Sequence, residues 1–337
     1  MEYDVLLKRS LRVGIVGTGY AAKKRAEAFQ EDPRAHLVAV AGNTAEKTLS
    51  FAQAQGIVAS QSWQTLVERD DVDLIVVCHV NCDHGGVVRA ALMAGKSVVV
   101  EYPLSLSSAE AADLIALAQQ QRSLLHVEHI ELLGGLHQTM QAYMSEVGTP
   151  AYVRYCTAIP QNPAPQKWTY NAALFGFPLA GALSRVHRLT NLFGPVRQVA
   201  CHLQYNGVSQ TPPDGYFKDC QCVAQLHFVS GVVAEILYAK GEQTWRPQRW
   251  MEVSGDRGAL VFDGDQGTLL TKQGNRPIEL EARRGLFVKD TTYVLDAIYE
   301  GNSLYVNPQD SLYALKVATA AAQSAKTGTM VTINPQD

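Results

Sequence analysis

Several things that a 337-residue chain could carry are missing from this one, and each absence removes a class of function. No apolar run approaches the roughly 20 residues of a membrane-crossing helix, and the opening MEYDVLLKRSLR lacks the apolar core of a signal peptide. A cytoplasmic protein is therefore expected. Basic residues do not cluster: 29 Lys and Arg stand against 32 Asp and Glu, for a net charge of -3 and a pI of about 6.3. That balance leaves no electrostatic footprint for nucleic acid or an anionic membrane, so small-molecule partners are expected. The six cysteines (Cys78, Cys82, Cys156, Cys201, Cys220, Cys222) show no paired C-x-x-C spacing, which argues against both a zinc ribbon and a disulfide framework. Reduced, mostly buried thiols and no metal are the expectation. Internal repeats and low-complexity stretches are also absent.

What is present divides into two textures. At this length a single core is outgrown, and two domains are the default. From residue 10 to about 130, short apolar runs (RVGIV, HLVAVA, DLIVVC, KSVVV, LLHVE) alternate with helical patterns, as a parallel sheet built from βαβ units requires. Beyond residue 150 come longer runs alternating with period two, such as AYVRYCTAI, VRQVACHLQY and CVAQLHFVSGVVAEILYAKG, which predict an antiparallel or mixed sheet with one buried face. A helical pattern, DSLYALKVATAAAQSAKTG, follows. The expected class is α/β: a Rossmann domain over residues 1–130, then an α+β domain over 131–337 with a large, open, mostly antiparallel sheet. QNPAPQKW, residues 161–168, reads as a loop because its prolines exclude regular structure.

The first motif with chemistry in it is VGIVGTGYAA. Gly17-Thr18-Gly19-Tyr20-Ala21-Ala22 is G-x-G-x-x-A between a strand and a helix, the setting of a dinucleotide-binding turn. Gly17 permits the tight turn, Gly19 lets the backbone approach the pyrophosphate, and the free N–H groups of the helix start meet its charge. The second strand ends in VAVAGNTAEK, with Gly42, Asn43 and Thr44 where an NAD enzyme usually places a carboxylate for the ribose hydroxyls. Asn43 and Thr44 can donate to a 2′-phosphate and Lys47 can add charge, so NADPH is the expected cofactor and NADH the less favoured one. Thr44 can equally be a plain helix N-cap, and both roles can hold at once.

GIVGTGYAA, CHVNCDH, VVVEYPLSLS and NPQDSLYALKVATAAAQSAKTG together resemble the glucose-fructose oxidoreductase and inositol dehydrogenase family across essentially the whole chain. EYP followed by LS, where most relatives carry Glu-Lys-Pro, is similar to the branch of that family that reduces the open-chain tetrapyrrole biliverdin. LLHVEHIELL, and FGFP with a downstream SR before LFG, point the same way. The resemblance implies hydride transfer from NADPH to the central methine carbon of biliverdin, giving bilirubin, while a proton reaches a pyrrole nitrogen.

Two further absences matter here. Tyr102 stands in place of the lysine that handles the hydroxyl proton in sugar-oxidising relatives, and an ungapped alignment on LFGPV puts Ser184 and His187 where their His and Asp would fall. The acid/base set for an alcohol is thus missing. A phenol is a poor base near neutral pH, so Tyr102 is expected to orient the substrate. Arg185, in ALSRVHRL, falls where the family's catalytic helix lies and is the first choice for pairing with a propionate or holding a proton relay; Arg188 lies near the same face. The resemblance also implies cofactor contacts for Asn81, His84 and Glu101, and His129 is a candidate substrate contact beside Glu128 and Glu131. Trp168, Tyr170, Phe175, Trp245 and Trp250 are read as core. A sugar or polyol dehydrogenase and a non-catalytic NADP-binding regulator remain as alternatives, and the second domain's sheet offers a surface for a homodimer.

Overall fold

The computed structural model describes residues 9–208, 215–281 and 284–333. The expected absence of a signal peptide draws on residues 1–12, of which 1–8 lie outside the described residues. No helix among the described residues is long and apolar enough to cross a membrane.

In chain order the first unit contains β1 (Leu11–Val16), α1 (Tyr20–Glu31), β2 (Ala35–Ala41), α2 (Ala45–Gln55), β3 (Val58–Ala59) and α3 (Trp63–Val67). It continues with β4 (Leu74–Val77), α4 (His84–Met93), β5 (Ser97–Glu101), α5 (Ser108–Gln121) and β6 (Leu125–Glu128). All strand pairs are parallel, in the order β3-β2-β1-β4-β5-β6. The order in which the chain adds strands reverses at the parallel β1/β4 pair, so the loops after those strands diverge there and open a crevice at their carboxyl ends. Strands covered on both faces need continuous apolar runs, and Leu74 to Val77 and Val98 to Val100 are wholly buried.

The second unit holds α6 (Gly135–Val147), β7 (Pro150–Pro160), α7 (Ala172–Phe175), α8 (Pro178–Gly181), α9 (Ser184–Phe193), β8 (Val196–Asn206), β9 (Asp219–Phe228) and β10 (Val233–Gly241). The strands β11 (Gln248–Gly255), β12 (Gly258–Asp263), β13 (Gln266–Thr271) and β14 (Gly274–Ile278) follow; next in the chain come α10 (Leu286–Glu300), which belongs to the first unit, then α11 (Pro308–Thr327) and β15 (Val331–Thr332). The second sheet has nine strands and is mixed: β7 and β10 run parallel, and its other pairs are antiparallel. Segment 161–167 forms no helix or strand.

The sequence divides the chain once, near residue 130, whereas the compact units are 1–133 with 284–312 and 134–283 with 313–337. Hydrophobic burial explains the return. Val294, Leu295 and Ala297 of α10 join Val13, Ile15, Phe29 and Val76 in the core of the first unit. Each fully buried aliphatic side chain there contributes on the order of 1.5–3 kcal/mol.

Two local details complete the fold. Ser107 caps α5 by accepting from the Glu110 N–H at 3.3 Å, but the Glu110 carboxylate takes the Ser105 hydroxyl at 2.5 Å, so the reciprocal half of the capping box is not made. Of the thiols only Cys78, Cys220 and Cys222 are buried, and Cys82 is exposed; all six are free.

Candidate active site

The dinucleotide loop is built by close approach. Gly17 adopts φ +129°, and a Cβ there would stand 2.4 Å from the Cys78 carbonyl oxygen at the end of β4, so only glycine fits. At Gly19 a Cβ would meet nothing within 4 Å, which leaves open space above the turn. The first i→i−4 bond of α1 runs from the Lys23 N–H to the Gly19 carbonyl at 3.1 Å, so the amides of Tyr20, Ala21 and Ala22 have no partner within the helix. No side chain caps this end, and its first turn carries no acid. A pyrophosphate fits such a cradle, with Thr18 in the turn and Tyr20 exposed at its rim.

Asn43, Thr44 and Lys47 lie exposed after β2. Thr44 does cap α2, accepting from the Lys47 N–H, but at 3.4 Å the bond is long and the hydroxyl proton remains available for a phosphate oxygen. Gly42 is more constrained than its sequence position implies: a Cβ there would lie 2.7 Å from both Thr18 Cγ2 and Thr48 Oγ1. An aspartate cannot enter at 42 without displacing the loop, so the test of cofactor choice belongs at Asn43. Asn43→Asp should shift the preference toward NADH by roughly tenfold in kcat/KM, since the new carboxylate repels a 2′-phosphate. Paired steady-state titrations of the two cofactors measure this, and an unshifted ratio would show that residue 43 does not face the ribose.

Glu101 ends β5 directly opposite Glu128 at the end of β6. Arg25, wholly buried on α1, donates from Nε to Glu101 at 2.9 Å and pairs through Nη1 with Asp290 of α10. Asp290 also accepts from Tyr305 at 2.6 Å and lies 2.8 Å from His126 Nε2. Burial, then the Glu101 charge, push the Glu128 carboxyl well above the usual carboxylate range, and the two side chains share a hydrogen bond. The cofactor loop, the end of β5 and the returning helix α10 are thus tied to one buried ionic centre.

Tyr102 follows Glu101 and joins Pro103 through a cis peptide bond. Its ring stacks on His129, with centroids 5.3 Å apart and planes 11° from parallel. His129 is completely buried: Nδ1 lies 2.9 Å from Glu131 and Nε2 2.9 Å from the Ser311 hydroxyl. Both nitrogens are engaged by the protein, and the buried His129 ring supports Tyr102. His84 is also held by the protein on both ring nitrogens. It is buried on α4, with Nδ1 2.8 Å from the Pro103 carbonyl and Nε2 3.2 Å from the His79 carbonyl, and burial lowers its pKa. A neutral ring donates through one nitrogen only, and the shorter bond braces the Tyr102-Pro103 turn. Asn81 is buried in the 3-10 turn Asn81–Asp83. His79 stacks on His84 at 5.4 Å, and burial above all brings it down to about 4, so it is neutral.

In the second unit, Arg185 opens α9 and is half-buried. Its Nη1 donates to the Ser184 hydroxyl at 3.2 Å, and its guanidinium lies 5.3 Å from the centre of the Tyr238 ring. Arg188, one turn on and 5% exposed, lies 6.0 Å from the Tyr155 ring. Neither its Nε nor its Nη1 finds a hydrogen-bond partner among the described residues. Burying an unpaired guanidinium is costly, and a fold tolerates it where an anion completes the arrangement.

Comparison with known proteins settles the family. The model of an oxidoreductase family with an NAD-binding Rossmann fold matches residues 11–129, and that of its C-terminal alpha/beta domain matches 145–333. The chain belongs to the GFO/IDH/MocA oxidoreductase family. Among solved structures it is similar to a biliverdin reductase from Synechocystis sp. PCC 6803, in complex with biliverdin and NADP+. Identity is 46%, the TM-score is 0.91, and the match covers 94% of this chain and 99% of that one. It is 28% identical over 197 residues to biliverdin reductase A of Mus musculus, covering 58% of this chain and 63% of that protein, under two thirds of its length. A dTDP-3,4-didehydro-2,6-dideoxy-alpha-D-glucose 3-reductase from Streptomyces antibioticus is 33% identical over 157 residues, or 45% of this chain and 48% of that one. Family membership agrees with the resemblance carried by the motifs. The residues that sequence reasoning missed are Arg25, His126, Asp290 and Tyr305, whose partnership no local pattern signals.

Proposed function

We propose that this chain is an NADPH-dependent biliverdin reductase, reducing the central methine carbon of biliverdin to give bilirubin. The observation that carries the reading is the 46% identity, maintained over 94% of the chain, to a reductase whose solved complex holds biliverdin and NADP+. Tyr102 in place of a lysine supports it, because an alcohol oxidation would lack its base.

When bound, NADPH supplies the hydride. The loop from Gly17 to Ala21 holds the pyrophosphate on free amides; Asn43, Thr44 and Lys47 meet the 2′-phosphate, and Glu101, fixed by Arg25, takes the nicotinamide ribose. Tyr102, held flat by His129, orients the planar pigment. Arg185 pairs with a propionate or holds the water that brings a proton to the pyrrole nitrogen, and it stabilises charge as the hydride arrives. Arginine is too weak an acid to be the donor itself. Arg188 supplies further positive potential.

Tyr102→Phe should retain turnover within about tenfold of wild type, since the ring still stacks on His129 and one hydrogen bond is lost. Loss as deep as that of an Arg185 variant, with NADPH affinity intact, would make the phenol directly catalytic. A homodimer through the second sheet would cover residues such as the half-exposed Val223. Light scattering distinguishes it from a monomer.

A further inference from the structure

Two thiols of the second sheet are in contact, and the reading above leaves them without a role. Cys201 of β8 and Cys222 of β9 hold their sulfurs 3.7 Å apart, and both are free thiols. In the antiparallel register Cys201 faces Ala224 and Cys222 faces Leu203, so the two are diagonal neighbours on one side of the sheet.

The two differ as an attacking and a resolving thiol must. Cys201 is half-buried and Cys222 wholly buried, so a small oxidant reaches the first and not the second. The Cys222 S–H, donating to the Cys201 sulfur, stabilises a Cys201 thiolate and holds that thiol below its ordinary value; the same bond and burial push the Cys222 thiol up. On its other side Cys222 stands opposite Tyr238 of β10, whose ring carries the Arg185 guanidinium at 5.3 Å. The Cys201 N–H donates to Ser324 Oγ of α11 at 2.9 Å, which anchors the β8 side. A disulfide needs its sulfurs about 2.0 Å apart, so bonding draws Cys222 toward β8 and away from Tyr238. Close-packed interiors transmit such shifts.

We propose that Cys201 and Cys222 are a reversible redox pair, joined as a disulfide by a hydroperoxide, which sets the position of Tyr238 and through it the hold on Arg185. The Cys201 thiolate attacks the peroxide; the O–O bond breaks, a sulfenic acid forms, and the leaving oxygen takes a proton. Cys222 then attacks the Cys201 sulfur, the S–S bond forms as the S–O bond breaks, and the Cys222 proton passes to the departing hydroxide, giving water. Overall each sulfur gives up one electron and the peroxide takes both. A dithiol reductant reverses the change. The control of rate rests on the biliverdin reading, whereas the disulfide does not.

The test treats purified protein with hydrogen peroxide, maps unreduced digests by mass spectrometry, and assays NADPH with biliverdin before and after dithiothreitol. Wild type should yield a Cys201–Cys222 cross-linked peptide lighter by two hydrogens than its separate parts. Its kcat should fall by about tenfold with NADPH affinity unmoved, and recover fully on reduction. Cys201→Ser and Cys222→Ala, with thermal melts confirming that each folds, should keep the rate of reduced wild type and lose both responses; either variant alone suffices. Peroxide-treated wild type without the cross-link overturns the pair, as does a cross-linked protein with an unchanged rate, or an equal and reversible fall in Cys201→Ser. A reduced wild type that leaves biliverdin unchanged overturns the biliverdin reading and the control of rate with it, while mass still reads the cross-link.

Discussion

Replacing Arg185 with alanine is expected to lower kcat for biliverdin by roughly 100-fold while NADPH affinity stays near wild type. The reason is where the cation sits. Arg185 is at the first turn of α9, its guanidinium laid on the Tyr238 ring and one nitrogen donating to Ser184, so it is oriented before any substrate binds. A pre-oriented charge is worth more in the transition state than a mobile one, because no reorganisation is needed as charge develops. Arg185→Lys should not fully rescue, since an ammonium cannot reproduce the planar fork that grips a carboxylate. Steady-state kinetics beside a separate cofactor titration test this. A raised KM at unchanged kcat would reduce Arg185 to a propionate anchor, and the proton route would then be sought at Glu101 and Glu128.

The second large effect falls on stability. Asp290→Asn should destabilise the first unit by about 3–5 kcal/mol and lower Tm by on the order of 10 °C, because it leaves Arg25 buried without its main counter-charge. Arg25 and Asp290 are both completely buried, and His126 and Tyr305 complete the carboxylate's shell. Burial alone would raise the Asp290 pKa; the Arg25 charge, His126 and Tyr305 outweigh it and hold the carboxyl below its ordinary value. A folded pKa below the unfolded one gives stability that is fully present above roughly pH 4 and lost as pH falls through the folded value. Asp290→Asn should therefore flatten the acid limb of the stability curve as well as lower its plateau. Melts across pH measure both, and a variant as stable as wild type at pH 7 with an unchanged acid limb would contradict the ionic centre.

How much of this was legible in the sequence depended on how local the cause was. The parallel sheet and the Gly17–Ala22 turn could be read because strand, turn and helix signals are contiguous there. Thr44 as a helix cap followed for the same reason. The Arg25–Asp290 pair spans 265 residues and His126–Asp290 spans 164, so no spacing could announce either, nor that α10 would return to the first unit. The motifs of His84 and His129 lie beside the cofactor loops, but the hydrogen bonds their buried ring nitrogens make to Pro103, His79, Glu131 and Ser311 could not be read from those motifs. The steric limit at Gly42 comes from Thr18 and Thr48, which no reading of the strand end alone could include.

The most direct test is to mix the purified protein with NADPH and biliverdin and follow the visible spectrum. The account predicts loss of the green absorbance with matching gain of yellow bilirubin, one NADPH consumed for each pigment reduced, and a slower rate with NADH. Oxidation of a polyol with no change in biliverdin, or tight NADPH binding with no turnover of any bilin, would contradict it.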